Sequence, residues 1–242
     1  MTALSAVVTG ASRGIGLAIA QALAADGYCL TLSARRPEGL EQAAGELRER
    51  TEVQAVAANL ASEDDVRRLA DEHARRFDGL DLLVLNAGVG FNDPIAEQPL
   101  KQYDLMFNVN LRAQFILIQH ALPLLRKSAA ANPERGAKVV ALASITGVAA
   151  EPKLGVYGAT KAALISLCET LNLEESGHGV TATALSPGYV DTDMAAWKRD
   201  EISTMLKAQD VATLVQAVSR LSANAVVPNI VLARAGDQLW RA

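Results

Sequence analysis

The sequence predicts an α/β chain: a doubly wound parallel sheet with helices on both faces. Three observations carry this reading. Short aliphatic runs alternate with amphipathic stretches of helical length from one end of the chain to the other. The runs are continuous, as strands covered on both faces require. A glycine-rich turn stands directly between the first run and the first helical stretch.

The elements follow in order. Strands are expected over Leu4 to Val8, Cys29 to Ser33, Val53 to Ala57, Leu80 to Leu85, Lys138 to Ala143, Val180 to Leu185 and Asn229 to Leu232. Helical patterns lie between them, over 14–26, 38–50, 63–77, 101–127, 155–176 and 209–222. Gly27 stands where a helix end needs a left-handed residue. Ser62 followed by Asp65 reads as an N-cap pair. Ser128 to Gly136, with its Ala-Ala-Ala-Asn-Pro, reads as a surface excursion. No linker, repeat or composition break divides the chain, so residues 1–242 are expected to form one domain.

Composition excludes several classes. Half of the 242 residues are hydrophobic and 21% are charged, which argues against disorder. The formal net charge is −4 and no long basic run occurs, so nucleic acid is not an expected partner. The apolar runs fall short of the ~20 residues of a membrane span. Met1 to Ser5 lacks the basic region of a signal peptide, which points to a cytoplasmic protein. Cys29 and Cys168 are too few for a disulfide framework or a cysteine zinc site, and read as two buried apolar residues in a reducing compartment. His73, His120 and His178 have no ligand spacing and read as surface or packing residues, so no metal is expected.

The turn Thr9-Gly10-Ala11-Ser12-Arg13-Gly14-Ile15-Gly16 has a chemical reading. Ligands of open parallel sheets bind at the carboxyl ends of the strands. Glycine lets backbone approach a pyrophosphate there. The helix that follows offers free N–H groups and partial positive charge. Further along, Tyr157 and Lys161 are four apart near the start of a helix, hence on one face. Ser144 lies thirteen residues before Tyr157, just past the fifth strand. A phenol with a pKa of ~10 is a poor acid or base at neutral pH. A lysine ammonium ~4 Å away contributes ~4 kcal/mol at an effective dielectric of 20. That corresponds to ~3 on the pKa scale, so Lys161 is expected to bring Tyr157 toward the working pH.

Together these residues resemble the short-chain dehydrogenase/reductase family, in its classical type. The spacing Gly10-x-x-x-Gly14-x-Gly16 is similar to that family's cofactor turn. Asn86-Ala87-Gly88 matches its motif after the fourth strand. Asn110, Ser144, Tyr157 and Lys161 resemble its catalytic tetrad. Pro187-Gly188-Tyr189-Val190-Asp191-Thr192 resembles its Pro-Gly motif. The likeness covers residues 4–232 and implies one Rossmann-type domain that binds a nicotinamide cofactor and catalyses.

The resemblance also implies roles. Tyr157 gives a proton to a carbonyl oxygen as hydride arrives from the nicotinamide, and Ser144 holds that oxygen. Lys161 binds the nicotinamide ribose, and Asn110 supports a water leading protons to Lys161. Gly10, Ser12, Arg13, Gly14, Ile15 and Gly16 surround the phosphates. Asn59 and Leu60 meet the adenine, although relatives usually carry aspartate where Asn59 stands. Asn86, Ala87 and Gly88 border the ribose, with Asn86-Ala87 steadying the sheet. Pro187, Gly188, Val190 and Thr192 reach the carboxamide end. Ala34 stands where NAD-preferring relatives place aspartate, and Arg35 follows it. Arg13 and Arg35 together suit a 2′-phosphate, so NADP(H) is expected over NAD(H). Arg36 is left open.

Phe91, Met194, Trp197 and Met205 are expected to border the substrate cleft, and the short Met194 to Lys207 segment excludes a large lid. The expected substrate is a small carbonyl compound or secondary alcohol. A 3-oxoacyl thioester reductase and a non-catalytic NADP(H)-binding regulator stand as alternatives. By resemblance, the helices 101–127 and 155–176 pair in a homodimer. The tail Ala233-Arg234-Ala235-Gly236-Asp237-Gln238-Leu239-Trp240 departs from the family's Asp-Gly-Gly stretch, which leaves a tetramer uncertain.

Overall fold

Side chains of successive strand residues point to opposite faces, and each strand therefore feeds two apolar layers. Val7, Leu83, Leu85, Val139 and Ala141 enter one layer; Ala6, Val8, Leu82, Val84, Val140 and Leu142 enter the other. A computed structural model describes residues 3–195 and 205–236 of the chain. Its strands are β1 (Ser5–Thr9), β2 (Cys29–Ala34), β3 (Val53–Ala57), β4 (Leu82–Leu85), β5 (Ala137–Leu142), β6 (Val180–Pro187) and β7 (Asn229–Leu232). They form one seven-stranded sheet in the order β3-β2-β1-β4-β5-β6-β7. Every pairing is parallel.

Helices α1 (Gly14–Ala25), α2 (Pro37–Arg48) and α7 (Ala208–Ser219) cover one face. Helices α3 (Glu63–Arg76), α5 (Ala113–Ala131) and α6 (Gly155–Glu175) cover the other. Helix α4 (Leu100–Phe107) runs into α5 through a π-helical turn, Asn108–Arg112. The strand order reverses between β1 and β4. The chain leaves their carboxyl ends toward opposite faces there and opens a crevice, the place where ligands of such sheets sit.

Several expectations need adjustment. The single helix expected over 101–127 is two helices joined by the π turn, which periodicity cannot register. Helix α5 continues to Ala131 because Ser128-Ala-Ala-Ala favours helix, so the expected excursion from Ser128 begins only after it. Strand β4 starts at Leu82, because the Asp81 carboxylate accepts a hydrogen bond from the Ser5 amide at 2.7 Å. Ser62 caps α3 through Asp65 N, and Gly27 has φ +80°, both as expected. Cys168 is buried, whereas Cys29, at the start of β2, is half-exposed. His73 is a packing residue: fully buried, its Nδ1 lies 2.8 Å from the Thr31 hydroxyl and its Nε2 3.0 Å from the Gly79 carbonyl. Burial pulls its imidazole down to about 4. Among the described residues, no helix is long and apolar enough to cross a membrane.

Candidate active site

The turn after β1 is built by backbone that only glycine tolerates. Gly10 and Gly14 have φ of +66° and +56°. A Cβ on Gly16 would lie 2.3 Å from the Gly10 carbonyl oxygen, so α1 begins pressed against the turn. Thr9 and Asn86 then lock the ends of β1 and β4 together. The Thr9 hydroxyl accepts from the Asn86 and Ala87 amides, both at 3.0 Å. Asn86 Nδ2 donates to the Thr9 carbonyl at 2.8 Å.

These ends open into a cleft of about 1840 Å³ along the carboxyl edge of the sheet. Gly10, Ser12, Arg13, Gly14, Ile15, Arg35, Asn59, Leu60 and the Asn86-Ala87-Gly88 turn line it. So do Ser144, Tyr157, Lys161, Pro187, Gly188, Val190 and Thr192. Two predicted residues stand behind the wall instead. Gly16 supports the turn from below. Asn110, in the π turn and fully buried, joins its Oδ1 to the Val89 amide and its Nδ2 to the Val89 carbonyl, each at 2.8 Å. Its Nδ2 also meets the Thr160 hydroxyl at 3.1 Å. Asn110 thereby clamps the segment after β4 to α6. A Cβ on Gly88 would lie 3.2 Å from Asn110 Oδ1 and 3.5 Å from Lys161 Nζ, so the three pack closely at the cleft wall.

Helix α6 brings Tyr157 and Lys161 to Ser144 by close backbone contact. A Cβ on Gly158 would lie 2.7 Å from the Thr146 carbonyl, and one on Gly147 would lie 2.8 Å from the Lys161 carbonyl carbon. Ser144 Oγ accepts from the Thr146 hydroxyl at 2.9 Å. Lys161 Nζ lies 5.5 Å from the centre of the Tyr157 ring and donates to the Leu142 carbonyl at 2.6 Å.

The electrostatics differ from the expectation. Burial pushes the Tyr157 phenol up to about 12, although a hydrogen bond with Ser144 pulls it down. Burial also pulls the Lys161 ammonium down to about 8. A drop of ~3 on the pKa scale would need the lysine to face the phenol as a full charge. Here the lysine is itself desolvated and aimed at a carbonyl, and burial sets the direction of the phenol's shift. At neutral pH the phenol is protonated, which is the state that can donate a proton to a substrate oxygen.

At the other end of the cleft, the Asn59 side-chain oxygen accepts from Ala61 N at 3.2 Å, and the Asn59 backbone N–H donates to Asp65 Oδ2 at 2.8 Å. Ala34 ends β2 without an acidic side chain, and Arg35 and Arg36 line the cleft beside it. Among the described residues, neither arginine has an ion-pair partner. Arg13 does: its Nη1 lies 2.6 Å from Asp193 Oδ2. Phe91, Met194 and Met205 line the cleft as expected, and Trp197 lies outside the described residues. The tail from Asp237 to Trp240 also lies outside them.

Sequence reading missed Thr9, Gln114 and Asp193. Gln114 donates to the Ala87 and Val109 carbonyls at 3.0 and 2.9 Å, securing the Asn-Ala-Gly turn and the π turn together. A polar residue in an apolar helical stretch is the signal that could have found it. Thr9 stands in the glycine turn, but only the fold shows what its hydroxyl reaches. Asp193 gave no signal, since its partner is 180 residues away.

An open parallel sheet with a glycine turn and a Ser-Tyr-Lys group on its carboxyl edge defines, as a class, an oxidoreductase that uses a dinucleotide. The short chain dehydrogenase family model matches residues 5–203, and the chain belongs to that family. It is 32% identical over 207 residues to the uncharacterized oxidoreductase YxjF of Bacillus subtilis, covering 85% of this chain and 77% of that protein. It is equally identical, over 207 residues, to the 3-oxoacyl-[acyl-carrier-protein] reductase FabG of Staphylococcus aureus, covering 85% and 82%. Among solved structures, an alcohol dehydrogenase from the archaeon Thermococcus sibiricus, complexed with 5-hydroxy-NADP, superposes with a TM-score of 0.88. It is 30% identical, with 98% of each chain covered. A 3-ketoacyl-(acyl-carrier-protein) reductase from Brucella melitensis, complexed with NADH, gives 0.84 at 25% identity, covering 95% and 96%.

Proposed function

We propose that the chain is an NADPH-dependent reductase of carbonyl compounds, which also oxidises secondary alcohols in reverse. The carrying observation is geometric: Tyr157 stands at the cleft wall with Ser144 and with Lys161, whose Nζ lies 5.5 Å from its ring centre. The cradle fits a dinucleotide: Gly10 and Gly14 adopt left-handed backbone at the start of α1, where phosphate binds favourably. Ser12, Ile15 and Gly16 complete that turn. Arg13 and Arg35 take the 2′-phosphate, Asn59 and Leu60 the adenine, and Asn86, Ala87 and Gly88 the ribose. Pro187, Gly188, Val190 and Thr192 hold the carboxamide.

When bound, the reduced nicotinamide supplies hydride to the carbonyl carbon. Tyr157 supplies the proton to the carbonyl oxygen, which becomes the alcohol hydroxyl. Ser144 donates a hydrogen bond to that oxygen and orients it toward the phenol. Lys161 holds the nicotinamide ribose and stabilises the phenolate left behind. Asn110 acts from behind the wall, holding the Val89 backbone and α6 in register. Phe91, Leu154, Met194 and Met205 give the substrate end an apolar lining, which suits a neutral carbonyl compound with an apolar body.

A second reading is reduction of a 3-oxoacyl thioester, favoured by the FabG relatives. A regulator that binds NADP(H) without turnover is the third, and the intact Ser144, Tyr157 and Lys161 weigh against it. We further propose one catalytic unit acting in the cytoplasm as a homodimer, paired through α4, α5 and α6. The exposed apolar Phe115 and Leu173 support that pairing.

The test is NADPH consumption against a panel of ketones, aldehydes and 3-oxoacyl thioesters, with Tyr157→Phe alongside. Consumption that vanishes in the variant is the expected result. Cofactor binding with no turnover across the panel would favour the regulator.

A further inference from the structure

The three arginines that border the 2′-phosphate end are not equivalent. Arg35 and Arg36 have no ion-pair partner among the described residues, whereas Arg13 is already held by Asp193 at 2.6 Å. The bond bridges the cleft from the glycine turn to the loop after β6. That loop is seated directly on the turn: a Cβ on Gly14 would lie 3.2 Å from Thr192 Cγ2. The loop is also pinned at its root, where Asp191 N donates to the Leu206 carbonyl at 2.9 Å and Leu206 N to the Tyr189 carbonyl at 3.0 Å. Lys207 Nζ lies 3.4 Å from Asp191, so the neighbouring carboxylate is engaged elsewhere and Asp193 is the one that faces Arg13.

We propose that Asp193 is a positioning residue for cofactor selectivity, holding Arg13 in competition with the 2′-phosphate. This rests on the NADPH reading above. A phosphate ester must take the guanidinium from the carboxylate, so NADPH binding includes the loss of one ion pair. NADH has no 2′-phosphate, leaves the pair intact and incurs no such loss. Arg13 and Asp193 side chains are 74% and 63% exposed. Solvent screens a pair of that kind, so the competition is weak and the exchange is easy. Asp193 therefore moderates NADPH affinity and leaves the site able to release its cofactor.

The test is a double-mutant cycle read by fluorescence titration with NADPH and with NADH. It uses the full chain, Asp193→Asn, Arg13→Ala and the double variant, and needs no substrate. Asp193→Asn should tighten NADPH ~2- to 5-fold and leave NADH unchanged. In the Arg13→Ala background the same change should have no effect, and Asp193→Glu should behave as wild type. Equal tightening with and without Arg13 would mean that the carboxylate acts through its general field, and the proposal falls. Tightening of both cofactors, or of neither, also overturns it. A wild-type chain that binds NADPH no better than NADH defeats the cofactor reading itself. A chain that prefers NADPH, by a margin that Asp193→Asn leaves unchanged, defeats only the role of Asp193.

Discussion

The two ends of the cleft are built on opposite plans. At the Tyr157 end, Lys161, Ser144 and Asn110 are buried and tied to backbone or to one another. At the Arg13 end, the charged side chains stand in solvent, and Arg13 is held by a screened ion pair. Burial fixes position and moves proton equilibria, as the raised phenol and lowered ammonium show. Exposure leaves interactions screened and exchangeable. Chemistry needs the first plan, and choice between two similar cofactors can use the second.

The contrast predicts effects of different size. The largest is Tyr157→Phe, which keeps the ring and removes the proton. Turnover should fall by about 10³ or more, with NADPH affinity kept within a few-fold; retained turnover would break the contrast at its strongest point. Asn110→Ala should come next. It leaves the Val89 amide and carbonyl without their buried partner, which costs about 1–3 kcal/mol per unsatisfied group. A lower urea midpoint together with lost turnover is expected, and a stable, fully active variant would show that the clamp is dispensable.

The pH profile sharpens the comparison further. Lys161 is charged below about 8 and neutral above it, while Tyr157 stays protonated up to about 12. kcat/KM for carbonyl reduction should therefore hold at neutral pH and fall as pH rises through 8. Alcohol oxidation needs the phenolate, which forms only toward about 12, so its rate should keep rising well past pH 8. A smaller effect belongs to Arg35→Ala. It should weaken NADPH about tenfold and leave NADH nearly untouched, a difference that paired titrations resolve. An unchanged ratio would place Arg35 in solvent rather than at the phosphate.

The same contrast explains what could be read from the sequence. Alternating apolar runs reported all seven strands, because strands buried on both faces leave an unbroken aliphatic signature. The glycines of the turn were legible because their spacing reports backbone geometry. Tyr157, Lys161 and Ser144 were legible by spacing and by family likeness. The π turn was not, since one extra residue per turn leaves no mark in a helical pattern. Nor was the reversal of the Tyr157 shift. Coulomb attraction depends on the distance between two charges, but desolvation depends on everything packed around them. The Arg13–Asp193 contact joins chain segments that only the folded sheet brings together.

The π turn between α4 and α5 has a consequence for how this chain tolerates insertion and deletion. Each residue of an α-helix advances its azimuth by about 100°. A π turn holds one residue more than an α turn, so it absorbs that advance and leaves α4 and α5 nearly in phase. Deleting one residue from Asn108–Arg112 would let the two helices fuse into a regular one with Met106 still facing the core. The loss would be local: the widened backbone that carries Asn110 to Val89 would close. The five-residue turn works as stored slack, placing one extra residue where the cleft wall needs it without turning the rest of the helix.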